Sequence, residues 1–349
     1  MTALGPARLS RSYACCRVCE QGSFPAERLL GLDGWLTPRA LEMACLAGVH
    51  DPFRKAETLL LGLAGWKVDS ETLRRRCHEH AALAAQGRQQ RSALPEAFAR
   101  AKGDHELHID AGKINVRGEG WRDVKVAAFG VRRRGERSCS LDFSERDLPA
   151  PSVRSAVAAV EGREDFGLRV QAEALRLKTP LGKGLSVLGD GADWIWTVAD
   201  DHFHGAAQVL DYWHAAQHLA TAGKAGLGDG PTMQAWLSQA KQGLASDGYA
   251  GAVEALAKAV GPDGSMGPEV VSELNYFAGH QGRMGYALRL RRGQAIGSGL
   301  VEGTIKQLVN IRMKRTGARW KLEHVGPFVE LLALEDGPEW KQYFASLAA

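Results

Sequence analysis

Between residues 104 and 190 the chain changes texture, and that change limits the folds open to it. HELHIDAGKINV, WRDVKVAAFGVRR and GERSCSLDF are short runs rich in β-branched and apolar residues, divided by turn formers. They predict strands, and GLSVLGD predicts a buried strand ending on Asp190. Residues 152–178, between them, space their apolar side chains as a helix does. Several strands, a helix, another strand and then more helices predict an α/β core with a mixed sheet.

Helical patterns flank this core. From residue 36 to about 90, Thr37-Pro38 reads as a cap followed by proline at the first helical position, and Asp51-Pro52 and Asp69-Ser70 read as further helix starts. Two short helices around a Gly-containing turn, the second carrying Arg74, Arg75 and Arg76, have helix-turn-helix character. An ordinary helical hairpin with a solvated arginine face fits equally well. Residues 219–280 are helical again, rich in Ala, Gly and Gln, with a breaker cluster at Gly261-Pro262-Asp263-Gly264, and read as a helical insertion. The expected organisation is a partial zinc-ribbon-like segment over 1–35 and a helical, DNA-contacting region over 36–103. The core follows over 104–218, the insertion over 219–280, and the core resumes over 281–349 with a closing helix around 328–334. At 349 residues and 45% hydrophobic composition, a large core can be buried.

The opening MTALGPARLS lacks the apolar centre of a signal peptide, and no run of about eighteen apolar residues occurs. The expectation is a soluble, cytoplasmic protein with no membrane partner. The six cysteines, Cys15, Cys16, Cys19, Cys45, Cys77 and Cys139, do not form a disulfide pattern. Cys16-Arg17-Val18-Cys19 has the spacing of half a zinc ribbon.

Three carboxylates stand where solvated surface is a poor explanation. Asp110 is read as ending the strand Leu107-His108-Ile109-Asp110, Asp190 as ending its strand at a Gly-Asp-Gly turn, and Glu302 as lying in the first turn of a helix introduced by Gly297-Ser298-Gly299. Taken singly, each is more often a turn former or a complement to the helix dipole. Clustered, they would repel one another without a cation, and oxygen-only ligands favour magnesium or manganese.

A wider pattern raises their standing. LGDGADWIWTVADDHFHGAAQVLDYWHAAQHL and YFAGHQGRMGYALRLRRGQAIGSGLVEGTIKQLVNIRMKRTGARW, with HIDAG and WRDVKVAAFGV before them, resemble bacterial insertion-sequence transposases of the ISKra type. That family's core is an RNase H-like DDE domain related to the Mutator-like elements. The resemblance covers nearly the whole chain and implies an RNase H-like mixed sheet with an all-α insertion before the catalytic Glu. It places the family's two aspartates on Asp110 and Asp190 and its glutamate on Glu302, rather than on the nearby Asp193, Asp200 or Asp201. The implied activity is magnesium-dependent cleavage of element ends and strand transfer into double-stranded target DNA. The implied state is an oligomer, a dimer being the simplest that joins two ends, associated with the nucleoid. The family usually carries an earlier Cys-x-x-Cys that completes the zinc site; this chain starts at Met1 without it, so zinc at Cys16 and Cys19 is in doubt.

Two further features surround the carboxylates. Asp211, His214 and His218 fall on one helix face, and the expected role of Asp211 and His214 is an Asp–His hydrogen bond that fixes the helix against the core. From Arg283 to Lys321 there are ten basic residues against one acidic residue, Glu302, an excess hidden by the net charge of +4. Arg283, Arg291, Arg292, Lys306, Arg312, Lys314, Arg315 and Arg319 are the expected contacts to phosphate. Trp194 and Trp196 are read as core. Two rival functions remain open: a truncated or repurposed relative that binds DNA without transposing, and a metal-dependent phosphoesterase for small esters.

Overall fold

The computed structural model describes residues 1–260 and 265–347, so the Gly261–Gly264 breaker lies outside the described residues. A small ribbon, β1 (Ala14–Cys15) with β2 (Gly22–Ser23), is followed by α1 (Pro25–Leu29), α2 (Pro38–His50), α3 (Phe53–Ala64), α4 (Ser70–Gln86) and α5 (Ala93–Arg100). The Thr37 hydroxyl accepts from the Ala40 N–H to cap α2, and Asp69 accepts from the Thr72 N–H at 2.9 Å to cap α4. Along α4, Arg74 pairs with Glu71, Arg75 with Glu79, and Arg76 with Asp33 at 2.7 Å. The opposite face of α4 buries Leu73, Cys77, Ala81 and Ala84. An ion-paired outer face over a buried inner one favours the ordinary hairpin over a DNA-reading helix.

The sheet comprises β3 (Asp104–Val116), β4 (Gly120–Arg132), β5 (Val153–Ala159), β6 (Leu185–Gly189) and β7 (Ala207–Leu210), with α6 (Arg163–Arg176) and α7 (Asp193–His202) in the connections. Its order is β5-β4-β3-β6-β7; β3, β4 and β5 run antiparallel, while β6 and β7 run parallel to β3. The mixed α/β core is therefore observed. Two expectations fail. GERSCSLDF is turn and irregular chain, largely exposed, and the third strand is instead β5, drawn from the stretch read as helix. The short apolar run Ser155-Ala156-Val157-Ala158-Ala159 is compatible with either period, and pairing with β4 decides between them.

Alternation along the strands sorts the core onto two faces. Leu107, Ile109, Ala127, Phe129 and Val131 meet α6, α7 and the insertion. Ile114, Val116, Val124, Val126 and Ala128 join the N-terminal helices and the C-terminal ones in a second continuous core. Helices α2 to α4 are thus built into the second face, while Leu94 and Phe98 of α5 join the first. A buried ion network adds to this union: Arg88 and Arg176 engage Glu173 at 2.7 and 2.8 Å, and Arg176 and Arg91 engage Glu339 at 2.7 and 3.1 Å.

The insertion comprises α8 (Tyr212–Leu227), α9 (Pro231–Asp247), α10 (Tyr249–Ala257) and α11 (Pro268–Gly279). It begins at Tyr212, so the expected boundary at 219 falls inside α8. The chain then returns through α12 (Tyr286–Arg291) and α13 (Gly299–Ile305), a π-helical turn at Lys306–Asn310, α14 (Leu322–Glu335) and α15 (Glu339–Ser346). Among the described residues, no helix is long and apolar enough to cross a membrane.

Candidate active site

Asp110 does not end its strand. β3 continues to Val116 in a long hairpin with β4, and what ends at this level is the parallel neighbour: Ile109 pairs with Gly189, the last residue of β6. Asp110 and Asp190 are therefore consecutive to paired residues on adjacent strands, at the carboxyl edge of β6. The Asp110 carboxylate accepts from the Ala111 N–H at 2.6 Å, and Asp190 accepts from the Ala192 N–H at 3.1 Å.

The Gly-Asp-Gly string has a steric cause. A Cβ on Gly189 would lie 2.8 Å from Ile195 and 3.3 Å from the Ile109 carbonyl. Gly191 has φ +106° and would meet the Tyr276 hydroxyl at 2.6 Å. The turn that presents Asp190 thus needs small residues on both sides.

Glu302 lies in the first turn of α13 and accepts a hydrogen bond from the Ser298 hydroxyl at 3.3 Å. The loop before α13 is anchored by Asp211, which is only 1% exposed. One Asp211 oxygen accepts from the His214 N–H at 2.7 Å, capping α8, and the other accepts from the Ser298 N–H. The Asp211 N–H donates to the Gly189 carbonyl at 2.8 Å, and the Tyr212 N–H donates to the Ile296 carbonyl at 2.9 Å. Asp211 does fix α8, but through the His214 backbone and the α13 loop rather than through the His214 ring.

Asp110 senses the other two carboxylates. Asp110 is pushed up to about 6, first by burial and then by the charges of Asp190 and Glu302, with the Ala111 N–H and His214 opposing. Among the described residues no group of three or more His, Cys, Asp or Glu side chains is placed to hold a metal ion. Oxygen-only ligands are the chemistry of a hard divalent cation rather than of zinc.

No family model and no curated protein matches the chain.

The insertion contributes residues that sequence reading missed. The Tyr276 hydroxyl donates to the Asp190 carbonyl at 3.2 Å, and its ring stacks on His218 at 3.6 Å. His218 in turn meets Glu273 at 2.6 Å. Burial, followed by the charges of Asp190, Glu273 and Asp211, raises the Tyr276 phenol well above its ordinary value. Nothing in the string around α11 signals this, because its relation to Asp190 exists only once α11 packs on α8.

The basic run divides. Arg291, Arg292, Lys306 and Arg319 are exposed and form no ion pair among the described residues; Lys314 is also exposed, 5.8 Å from the Trp121 ring. Arg283 is half-buried, bonded to Gln208 at 2.7 Å and lying over Trp196 at 4.5 Å. Arg315 fastens to Asp51 at 3.3 Å and to the His50 carbonyl at 3.0 Å. Arg312, unlike these, lies beneath the outer face, 5% exposed with Phe53, Trp320 and Phe328 around it. Trp196 is core, as expected. Asp193, Asp200 and Asp201 are exposed on α7.

Cys16 and Cys19 lie on the exposed turn between β1 and β2. The Cys19 and Val18 N–H groups hold the Cys16 thiol below its ordinary value. Among the described residues no group of three or more potential ligands assembles there.

Proposed function

We propose that the chain is the catalytic part of a magnesium-dependent DNA transposase with an RNase H-like core. The observation that supports this reading is that Asp110 and Asp190 follow paired residues on adjacent strands, with Glu302, from a separate stretch of chain, near enough for its charge to act on Asp110. The all-α insertion between Asp190 and Glu302 agrees with what the resemblance implies.

Asp110, Asp190 and Glu302 would hold magnesium. Bound there, the ions would activate an attacking water or 3′ hydroxyl and stabilise the leaving oxygen of an in-line phosphoryl transfer. The chain's own groups keep the ligands in place. The Ala111 and Ala192 N–H groups orient Asp110 and Asp190, the Ser298 hydroxyl orients Glu302, and Tyr276 tethers the turn carrying Asp190. The exposed, unpaired Arg291, Arg292, Lys306, Lys314 and Arg319 would contact backbone phosphates without reading sequence. Two element ends must be joined in one event, so the working form is an oligomer, a dimer being the simplest.

The test is cleavage of labelled element-end duplex in magnesium. Asp190→Ala and Glu302→Ala should each lose cleavage and keep DNA affinity within about twofold, an order-of-magnitude expectation for a site whose affinity comes from phosphate contacts elsewhere. Retained cleavage by either variant removes the assignment. Binding without cleavage by the unaltered protein favours the immobile relative.

A further inference from the structure

Beyond the far end of β3, on the sheet face that also carries Ile114 and Val116, a second concavity opens. Trp320 is bolted to the strand there: its N–H donates to the Asn115 carbonyl and its carbonyl accepts from the Arg117 N–H, both at 2.9 Å. At roughly 3.3 Å per residue along β3, this point is about 20 Å from Asp110. The cleft has a volume of about 470 Å³ and lies between α4, the β3–β4 hairpin turn and the segment 312–324.

Its lining is cationic. Arg74, Arg117, Arg319 and Lys321 face it with His78 and His324, whose rings lie 4.0 Å apart. Among the described lining residues Glu71 is the one carboxylate, engaged by Arg74 at 2.8 Å, while Glu323 just outside pairs with Lys321 at 3.5 Å. Arg312 lines the cleft too and is only 5% exposed. Its Nε donates to the Gly48 carbonyl at 3.0 Å, while its Nη2 is buried with no hydrogen-bond partner. A buried guanidinium with an unused donor is costly, and the aromatic rings around it offset only part of that cost. Burial pushes Arg312 down to about 10 and, together with His324, Arg74 and Arg312, pushes the His78 ring down to about 3. Cations crowded against each other around a partly enclosed space, with a free donor among them, favour an oxyanion.

We propose that this cleft is a phosphate-binding site, separate from the carboxylates, that takes a phosphate oxyanion carried by a nucleic-acid backbone or free in solution. The nucleic-acid source rests on the transposase reading; the phosphate chemistry does not.

Calorimetric titration of the full chain with inorganic phosphate tests the site. Arg319→Glu and Arg117→Ala alter residues at the rim, so they keep the test valid if Arg312→Gln fails to fold. Each rim variant should weaken phosphate binding at least about tenfold with an unchanged melting temperature, as expected when one charge-assisted contact is lost. A short duplex that displaces phosphate identifies the backbone as the source. Phosphate binding that is lost in Arg319→Glu but untouched by duplex identifies free phosphate. No phosphate binding by the unaltered chain, or equal binding by both rim variants, overturns the site. That result leaves Asp190-dependent cleavage standing, so the two readings fail separately.

Discussion

Asp211 holds Ser298. One oxygen of this buried carboxylate accepts from the Ser298 N–H while the other caps α8 through the His214 N–H. The loop that delivers Glu302 is thereby tied to the strand end that delivers Asp190, because the Asp211 N–H also bonds the Gly189 carbonyl. Two carboxylates far apart in sequence acquire a common anchor in a third, buried one.

Replacing Asp211 with Ala removes a helix cap and leaves the Ser298 N–H unpaired in the interior, at a cost of about 2–4 kcal/mol. Urea unfolding should show the loss. Where the variant stays folded, cleavage should fall through kcat with DNA affinity unchanged. An unaltered kcat would mean that the anchor does not govern the placement of Glu302.

Asp110 predicts how stability responds to pH in metal-free buffer. Its folded value of about 6 lies above the roughly 3.9 of an unfolded Asp, so between these values the native chain keeps a proton that the unfolded chain has released. The contribution of Asp110 therefore falls as pH rises from about 4 to about 6. Asp110→Asn should remove that fall, melt higher than the parent at pH 8 in EDTA, and show a smaller rise in melting temperature on adding magnesium. A melting profile identical to the parent's would count against the carboxylate coupling.

Glu173 works in the opposite direction. Burial alone would raise it, but Arg88 and Arg176 overcome that and hold it at about 2. Its contribution is present above the roughly 4.3 of an unfolded Glu and is lost as pH falls toward about 2. Glu173→Gln leaves two buried arginines short of a counter-charge and should cost about 3–5 kcal/mol in urea unfolding at pH 7. The difference from the parent should shrink as pH approaches 2, and a constant difference would contradict the assignment.

The division of the basic run is testable by salt dependence. Replacing Arg291 and Arg292 together with Ala should lower the slope of log affinity against log salt by about two, close to one per phosphate contact, with no change in melting temperature. Arg315→Ala should cost stability through its lost bonds to Asp51 and the His50 carbonyl. An unchanged salt slope for the Arg291 and Arg292 double variant would exclude both from the DNA path.

Local strings made several helix starts and the turn that carries Asp190 legible. Thr37-Pro38 and Asp69-Ser70 mark helix starts because a cap is made within four residues, and Gly-Asp-Gly marks a turn because its steric demand is local. What failed depended on partners. Val153–Ala159 reads as helix or strand until β4 lies beside it, and GERSCSLDF finds no strand to pair with. Arg312 looked like its neighbours in a basic run, yet Phe53 from far upstream joins Trp320 and Phe328 in enclosing it.

The sequence by itself determined the α/β texture, the helical insertion and the positions of Asp190 and Glu302, since these rest on short-range periodicity, capping and glycine sterics. Only the tertiary structure decided that Asp110 sits in mid-strand, opposite the end of β6, and that α2 to α4 complete the core of the sheet's second face. It also decided that Tyr276 and Asp211 brace the carboxylates and that some arginines face solvent while others do not. Pairing register and burial are set by contacts between residues far apart in the chain, and no local string contains both partners of such a contact.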